Sequence, residues 1–330
     1  MIVPFFIPHA GCPHQCVFCN QKNITGQSRP PDLSSIPHTI TKYLKTGAKN
    51  EPAHIAFYGG SFTALPQETQ KAYLEAARPF IRSGQVNDVR LSTRPDCITE
   101  EILSLLGEYH VHTVELGVQS MDDRVLTLSG RGHRAADTVH AVMLLKENAF
   151  SIGLQLMPGL PGDSAGIFQE TVNKVIELKP DFVRLYPTLV IQGTPLEQMY
   201  STGRYTPLSL DEAVALCRTA LVRFDEAGIP VMRIGLQPTE ELERPGAVIA
   251  GPYHPAFGQL VESSIFLDKM RAVLMKGKPG NDMATLYVNA SDISSATGQK
   301  RSNVTILKKE FGLRSIRIRS RPDVPRGAVR

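Results

Sequence analysis

Three of the chain's five cysteines, Cys12, Cys16 and Cys19, fall within eight residues in the stretch His9-Ala-Gly-Cys-Pro-His-Gln-Cys-Val-Phe-Cys-Asn20. Free thiols can act as nucleophiles, redox pairs or metal ligands. Structural zinc closes four ligands. Cysteine supplies three here, so zinc would need His9 or His14 to complete a Cys3His set. A redox dithiol expects a Cys-x-x-Cys ahead of a helix in a thioredoxin-like setting, which this stretch lacks. Cubane iron–sulfur clusters are usually held by four thiolates. Three would leave one iron open to a small ligand, and an open metal position is the mark of a catalytic rather than a structural site. The other two cysteines read as packing groups. Cys217 shares a helical stripe with Val214, Leu221 and Phe224, and Cys97 follows the Pro95-Asp96 turn.

Such chemistry needs a scaffold, and strand-like and helix-like segments alternate along the chain. Strands are expected at Ile2–Ile7, His54–Tyr58, Asp88–Ser92, Val111–Val118, Ser151–Met157, Phe182–Tyr186 and Val231–Ile234. Helices are expected near Ile36–Leu44, Glu68–Ile81, Glu100–Leu106, Asp122–Leu128, Ala135–Lys146, Ile167–Leu178 and Asp211–Ala227. The last opens on a Ser209/Glu212 capping box and closes at Gly228. Repeated strand–helix units imply a parallel sheet with right-handed crossovers, which fits an α/β fold built as a full or partial (β/α) barrel. An open doubly wound sheet is the alternative, with the same logic at its rim. Gly59-Gly60, Arg94-Pro95-Asp96, Gln119-Ser120 and Pro158-Gly159 all follow strands, where barrel enzymes keep their chemistry. The pattern fades near Ala250. Residues 1–250 are therefore expected to form the core barrel and residues 251–330 a small C-terminal α+β cap. The cap's helices are read near Phe257–Val273 and Val304–Phe311, and its strands near Leu286–Asn289 and Ser315–Arg319.

Composition bounds the function. The chain has 330 residues, 42% hydrophobic and 21% charged, as expected of a soluble globular protein. Ile2–Ile7 is short, holds Pro4 and follows no basic region, so it reads as neither a signal peptide nor a membrane span. No later stretch is long enough to span a bilayer, and the expected address is the cytoplasm. There, an odd cysteine count argues against a disulfide framework. The net charge of +4 is unevenly spread: from Lys276 onward twelve Lys and Arg face four Asp and Glu, a balance of +8, which leaves −4 for the rest. Such asymmetry points to a basic appendage that meets a polyanion.

Cys-x-x-x-Cys-x-x-Cys with Phe18 before the last cysteine resembles the signature of radical S-adenosylmethionine enzymes. That resemblance implies a [4Fe–4S] cluster on Cys12, Cys16 and Cys19. It also implies S-adenosylmethionine bound through its amino and carboxylate groups at the open iron, and a 5′-deoxyadenosyl radical that abstracts hydrogen from substrate. Phe18 would pack near the adenine. Phe57-Tyr58-Gly59-Gly60-Ser61-Phe62 is similar to the family's glycine motif for the methionine amino group; a tight turn is the bland reading of the paired glycines. Ser92-Thr93-Arg94-Pro95-Asp96 resembles a motif of the elongator catalytic subunit, which often carries glutamate where Ser92 stands and commonly contacts the ribose there. Val118-Gln119-Ser120 matches a segment whose glutamine contacts ribose. Arg131 matches an arginine that reaches the cofactor carboxylate. Met157-Pro-Gly-Leu-Pro-Gly162 matches a further family stretch, and Gln155 stands where the coproporphyrinogen oxidase relatives have aspartate. These matches cover residues 1 to about 250 and imply an elongator-like or coproporphyrinogen-oxidase-like member, with a flavodoxin or ferredoxin as electron donor. The length leaves no room for an acetyltransferase domain, so the whole elongator reaction is not expected.

Several residues keep two readings. Arg233 follows a strand and would face substrate at the rim or form a surface ion pair. His254, in Gly-Pro-Tyr-His-Pro, belongs to a loop over the barrel mouth or to a hinge. Arg317, Arg319 and Arg321 alternate with Ile316 and Ile318, which puts them on one face of a strand. They would meet phosphates of RNA, a tRNA among them, or guard a solvated edge. No stacking aromatic is evident beside them in the sequence. The favoured reading is a radical enzyme acting on a tRNA base. A non-catalytic haem or cofactor carrier on the same fold and a zinc-stabilised RNA-binding protein are the alternatives.

Overall fold

A computed structural model describes residues 1–27, 29–46, 52–277 and 282–330. In chain order the elements are β1 (Ile2–Ile7), α1 (Gln21–Thr25), α2 (Ser35–Thr46), β2 (His54–Gly59), α3 (Gln67–Arg82), β3 (Asp88–Thr93), α4 (Glu100–Glu108) and β4 (Val111–Gln119). They continue with α5 (Asp123–Leu128), α6 (Ala135–Glu147), β5 (Ser151–Leu156), α7 (Ala165–Leu178), β6 (Phe182–Leu185), β7 (Val190–Ile191), α8 (Pro195–Ser201), α9 (Leu210–Glu226), β8 (Val231–Ile234), α10 (Glu240–Glu243) and β9 (Val248–Ala250). The chain ends with α11 (Phe257–Gly277), β10 (Met283–Val288), α12 (Ile293–Thr297), α13 (Ser302–Phe311) and β11 (Ser315–Ser320).

Seven strands form one all-parallel sheet in the order β1-β2-β3-β4-β5-β6-β8. The order follows the sequence, as right-handed strand–helix units dictate. β1 and β8 are the two edges, so the barrel is partial, within the range expected from the sequence. Pro4 suits its place, because an edge strand has one side where a missing N–H breaks no ladder. On the outer face Val89, Leu91, Val114, Leu116, Ile152 and Leu154 are buried beneath the helices. The intervening residues face the concave side, and there the fold departs from the apolar filling of a closed barrel. Glu115 accepts ion pairs from Arg90 (3.0 Å) and Arg184 (2.8 Å) and a hydrogen bond from Tyr58 (3.3 Å). Burial would strip the Arg184 charge, but Glu115 and Tyr186 outweigh it and hold the guanidinium firmly protonated.

The expected helix ends are present where side chains supply them. Ser209 and Glu212 make the reciprocal capping box of α9, with Gly228 left-handed beyond its end (φ 72°). Ser164 caps α7 and Thr99 caps α4. The short antiparallel pair β7–β9 escaped the sequence reading, because two- and three-residue strands carry no period. Among the C-terminal elements, β10 and β11 form a separate parallel pair with their own core, which includes Met270, Leu286, Val288, Leu307 and Ile316. α11 links the two cores. Phe257 and Val261 pack into the large one, Phe266, Met270 and Leu274 into the small one.

Candidate active site

The loop between β1 and α1 carries the three cysteines across the C-terminal ends of β1 and β2. Backbone bonds hold it on every side. Gly60 N–H donates to Ile7 O (2.8 Å), Ser61 N–H to Ala10 O (3.1 Å), Val17 N–H to Ser129 O (3.0 Å) and Leu196 N–H to Val17 O (2.8 Å). Gln21 adds a clasp: its amide donates to Gly59 O (2.8 Å), and its own N–H donates to His9 Nε2 (3.0 Å). This closeness explains the paired glycines. A Cβ on Gly60 would sit 2.1 Å from Ala10 O, so the cysteine loop could not lie where it does. Nothing in the sequence singled out Gln21, whose partners are His9 just after β1 and Gly59 at the end of β2.

Cys12, Cys16 and Cys19 open onto one cavity with Phe18, Gly59, Gly60, Ser92, Gln119, Arg131 and Gln155. Thus all but one of the expected site residues converge there. Ser61 is the exception. It is fully buried, and its hydroxyl pairs with Thr93 Oγ1 (3.0 Å) in a network that also holds Thr63 (2.6 Å). The structure adds Glu115, Gly117, Arg94 and His14 to the lining. The Met157–Gly162 stretch lies outside it. It forms a turn in which Asp163 accepts from Gly159 and Ser164 N–H groups, and burial pushes that carboxyl up to about 6.

Gln119 reaches the cavity through a β-bulge. The β4–β5 register shifts between Gly117 and Gln119, and Gln119 takes a left-handed backbone (φ 68°). Bulges re-aim side chains beside active sites at a cost in local strain. Gln155 donates to Gln119 Oε1 (3.1 Å) and so fixes its amide. Gly117 has no side chain to intrude: a Cβ there would meet Gln119 Nε2 at 2.9 Å and Arg131 Nη2 at 3.2 Å. Arg131 Nη1 lies 3.2 Å from Cys16 Sγ, its Nη2 donates to Gly117 O, and its buried Nε has no partner among the described residues. Arg94 grips Asp96 with two bonds of 2.9 Å and donates to Arg131 O, so one arginine holds the other.

Burial, then the neighbouring Cys16 sulfur, raises the Cys12 thiol. The same causes with Cys12 added push Cys19 up to about 12, while Arg131 opposes in both cases and Arg94 at Cys12. Thiols that influence one another this way are close, yet they resist ionising together unless a metal takes up their charge. Among the described residues no three His, Cys, Asp or Glu side chains are gathered tightly enough to hold a single metal ion. Tetrahedral zinc would draw its sulfurs to within about 4 Å. A cubane cluster spreads its thiolates over several irons. Three thiols facing one cavity beside two buried guanidiniums fit that larger anionic group.

A Radical SAM superfamily model matches residues 6–175, more than half of the chain, and a Radical_SAM C-terminal domain model matches residues 180–266. The chain belongs to the radical SAM superfamily and is an enzyme of that class, whose cofactors are a [4Fe–4S] cluster and S-adenosylmethionine. Its relatives are elongator-like. It is 28% identical over 254 residues to a tRNA uridine(34) acetyltransferase of Methanocaldococcus infernus, covering 64% of this chain and 47% of that one. It is 29% identical over 261 residues to Elongator complex protein 3 of Danio rerio, covering 63% and 46%. The chain spans about half the length of these curated relatives. Among solved structures, an archaeal Elp3 from Methanocaldococcus infernus superposes with a TM-score of 0.61 at 23% identity, over 84% of this chain and 63% of that one. Coproporphyrinogen III oxidase from Escherichia coli does so at 0.50 and 16% identity, over 69% and 53%. Both likenesses concern the fold. No helix among the described residues is long and apolar enough to cross a membrane.

Proposed function

We propose that Cys12, Cys16 and Cys19 hold the [4Fe–4S] cluster and that the enzyme modifies a tRNA base. The convergence of the three thiols with Gln119, Gln155 and Arg131 on one cavity carries this reading. When bound, the cluster and S-adenosylmethionine together supply an electron that breaks the sulfonium bond and a 5′-deoxyadenosyl radical that takes hydrogen from substrate. The protein's part is placement. Gly59 and Gly60 present bare backbone to the methionine amino group, and Arg131, whose Nε has no partner among the described residues, meets its carboxylate. Gln119, held by Gln155, and Ser92 take the ribose, and Phe18 lies beside the adenine. Ser61 supports the site from behind through Thr93 rather than by touching cofactor. Residues 1–250 carry this chemistry, and the basic region 251–330 meets the tRNA. A flavodoxin or ferredoxin delivers the electron.

Support for tRNA comes from the names of the relatives and from the charge of the C-terminal region. The test has two arms. Anaerobically reconstituted protein given dithionite and S-adenosylmethionine should release 5′-deoxyadenosine, and Cys16→Ala should lose both the cluster absorbance and this product. Cleavage that survives the substitution would refute the ligand assignment. Nucleosides from tRNA of cells with and without the protein should differ at one base, and identical profiles would refute the substrate.

A further inference from the structure

The C-terminal sheet has one face buried in the small core and one whose strand side chains are exposed or half-buried. Leu286, Val288 and Ile316 are buried in the small core with Leu307 of α13 and Met270 of α11. Strand side chains alternate, so Thr285, Tyr287, Arg317 and Arg319 stand on the opposite face. Register places Tyr287 directly opposite Arg319. On the other side of β10, Tyr287 and Arg330 exchange backbone hydrogen bonds of 2.7 and 3.0 Å, next to an antiparallel bridge between Val288 and Val329. A tyrosine therefore sits between two arginines in one row across the sheet. Arg321 lies over its ring, 5.0 Å from the centroid. This is the stacking aromatic that the sequence reading did not find, because only the strand register brings residue 287 beside residue 319.

The charges differ in their freedom. Arg321 and Arg330 both pair with Asp323, at 2.6 and 3.1 Å. The side chains of Arg317 and Arg319 are exposed, and no described residue hydrogen-bonds or ion-pairs with either side chain. The same holds for the side chains of Lys300 and Arg301, in the Gly298–Arg301 turn between α12 and α13. Because β10 and β11 are parallel, α13 runs back against them. Its first turn and the two cations before it thus lie at the strand end where Arg319 and Ser320 stand.

We propose that this face and the adjoining end of the sheet bind single-stranded RNA, with phosphates on Arg317 and Arg319 of the face and on Lys300 and Arg301 at its end, and a base stacked on the Tyr287–Arg321 pair. Free cations alone would suit any polyanion. The aromatic within the row selects unpaired bases, because a duplex keeps its base faces stacked on each other. KH modules likewise hold an RNA backbone through a Gly-x-x-Gly turn between two helices; this turn has a cation, Arg301, in place of the second glycine. The proposal deepens the tRNA reading, since it names the surface that would hold the RNA, and it rests on that reading for the RNA met in the cell.

The test uses full-length reconstituted protein and fluorescence anisotropy with an unstructured oligoribonucleotide, a duplex of the same sequence, and phosphatidylserine vesicles. The single strand should bind best. The slope of log affinity against log salt should be about −2.8 for four phosphates. Arg317→Gln with Arg319→Gln should weaken binding at least tenfold and flatten the slope by about 1.4. Tyr287→Ala should weaken it at least about fivefold with little change in slope, and Tyr287→Phe should restore it. All variants should make 5′-deoxyadenosine at the wild-type rate, which shows them folded and loaded. Duplex binding equal to single-strand binding, vesicle binding without RNA binding, or affinity indifferent to these substitutions would overturn the proposal. Single-strand binding that follows these expectations while tRNA nucleosides are unchanged in cells upholds the surface and overturns the tRNA substrate.

Discussion

His133 shows how much one side chain near the site can govern. It is buried (4% exposed), and among the described residues neither ring nitrogen makes a well-formed hydrogen bond, although the Val118 backbone interacts with the ring. Burial, then Arg131 and Arg94, hold its pKa down at about 3 against an ordinary 6.5. The unfolded chain therefore binds a proton there that the folded chain refuses. Stability contributed by the neutral ring is present above about pH 6.5 and is lost as pH falls toward 3. Asp163 works in the opposite sense, because its raised carboxyl favours the folded state below the ordinary 3.8 and loses that advantage as pH rises through about 6. The test is the urea midpoint of cluster-free protein from pH 7 to 4, compared with His133→Phe. The wild type should lose about 2–4 kcal/mol relative to the variant over that range. Parallel curves would show that His133 does not titrate as described. Residue identities around the site were legible because motifs carry them, as with Gln119 and Arg131. The left-handed backbone of Gln119 was not legible, since it arises from a register shift against β5, a strand more than thirty residues away.

At the scale of elements, the site depends on how closely the cysteine loop lies over the ends of β1 and β2. The strands themselves were readable from apolar runs, and β1 falls where its pattern placed it. The loop was not, because its shape is set by partners far along the chain: Ser129 and Leu196 at Val17, Gln192 at Asn20 and Asn23. Paired glycines in the sequence suggested room for a ligand. The structure gives Gly60 a further task, because a methyl group there would meet Ala10 and Ile7 carbonyl oxygens at 2.1 and 2.9 Å. Both are backbone and cannot swing aside. Gly60→Ala should therefore move the cysteine loop while leaving all three thiols in the chain. We expect iron bound per protein after reconstitution to fall well below wild type, with the melting temperature of the cluster-free form lowered by only a few degrees, as for a loss of about 1 kcal/mol. Full iron loading in this variant would mean that the loop does not need that contact.

The two largest apolar cores among the described residues share one helix, and this arrangement decides how far a disturbance travels. α11 gives Phe257 and Val261 to the barrel core and Phe266, Met270 and Leu274 to the small sheet, with Arg218 of α9 paired to Asp268 between the two. The small core rests on few large side chains, among them the fully buried Met270. Emptying that position should cost about 2–5 kcal/mol locally, a large share of what so small a core can supply. If the two cores open separately, Met270→Ala should speed hydrogen exchange at β10, β11 and α13 while the amides of β2 to β5 keep wild-type protection. 5′-Deoxyadenosine formation should be unchanged, because the cavity residues belong to the barrel. Val261→Ala should do the reverse, lowering protection in the barrel core it fills. Equal acceleration in both sheets from Met270→Ala would show that α11 welds them into one cooperative unit. In that case the RNA-binding face and the radical site would respond to each other through that helix.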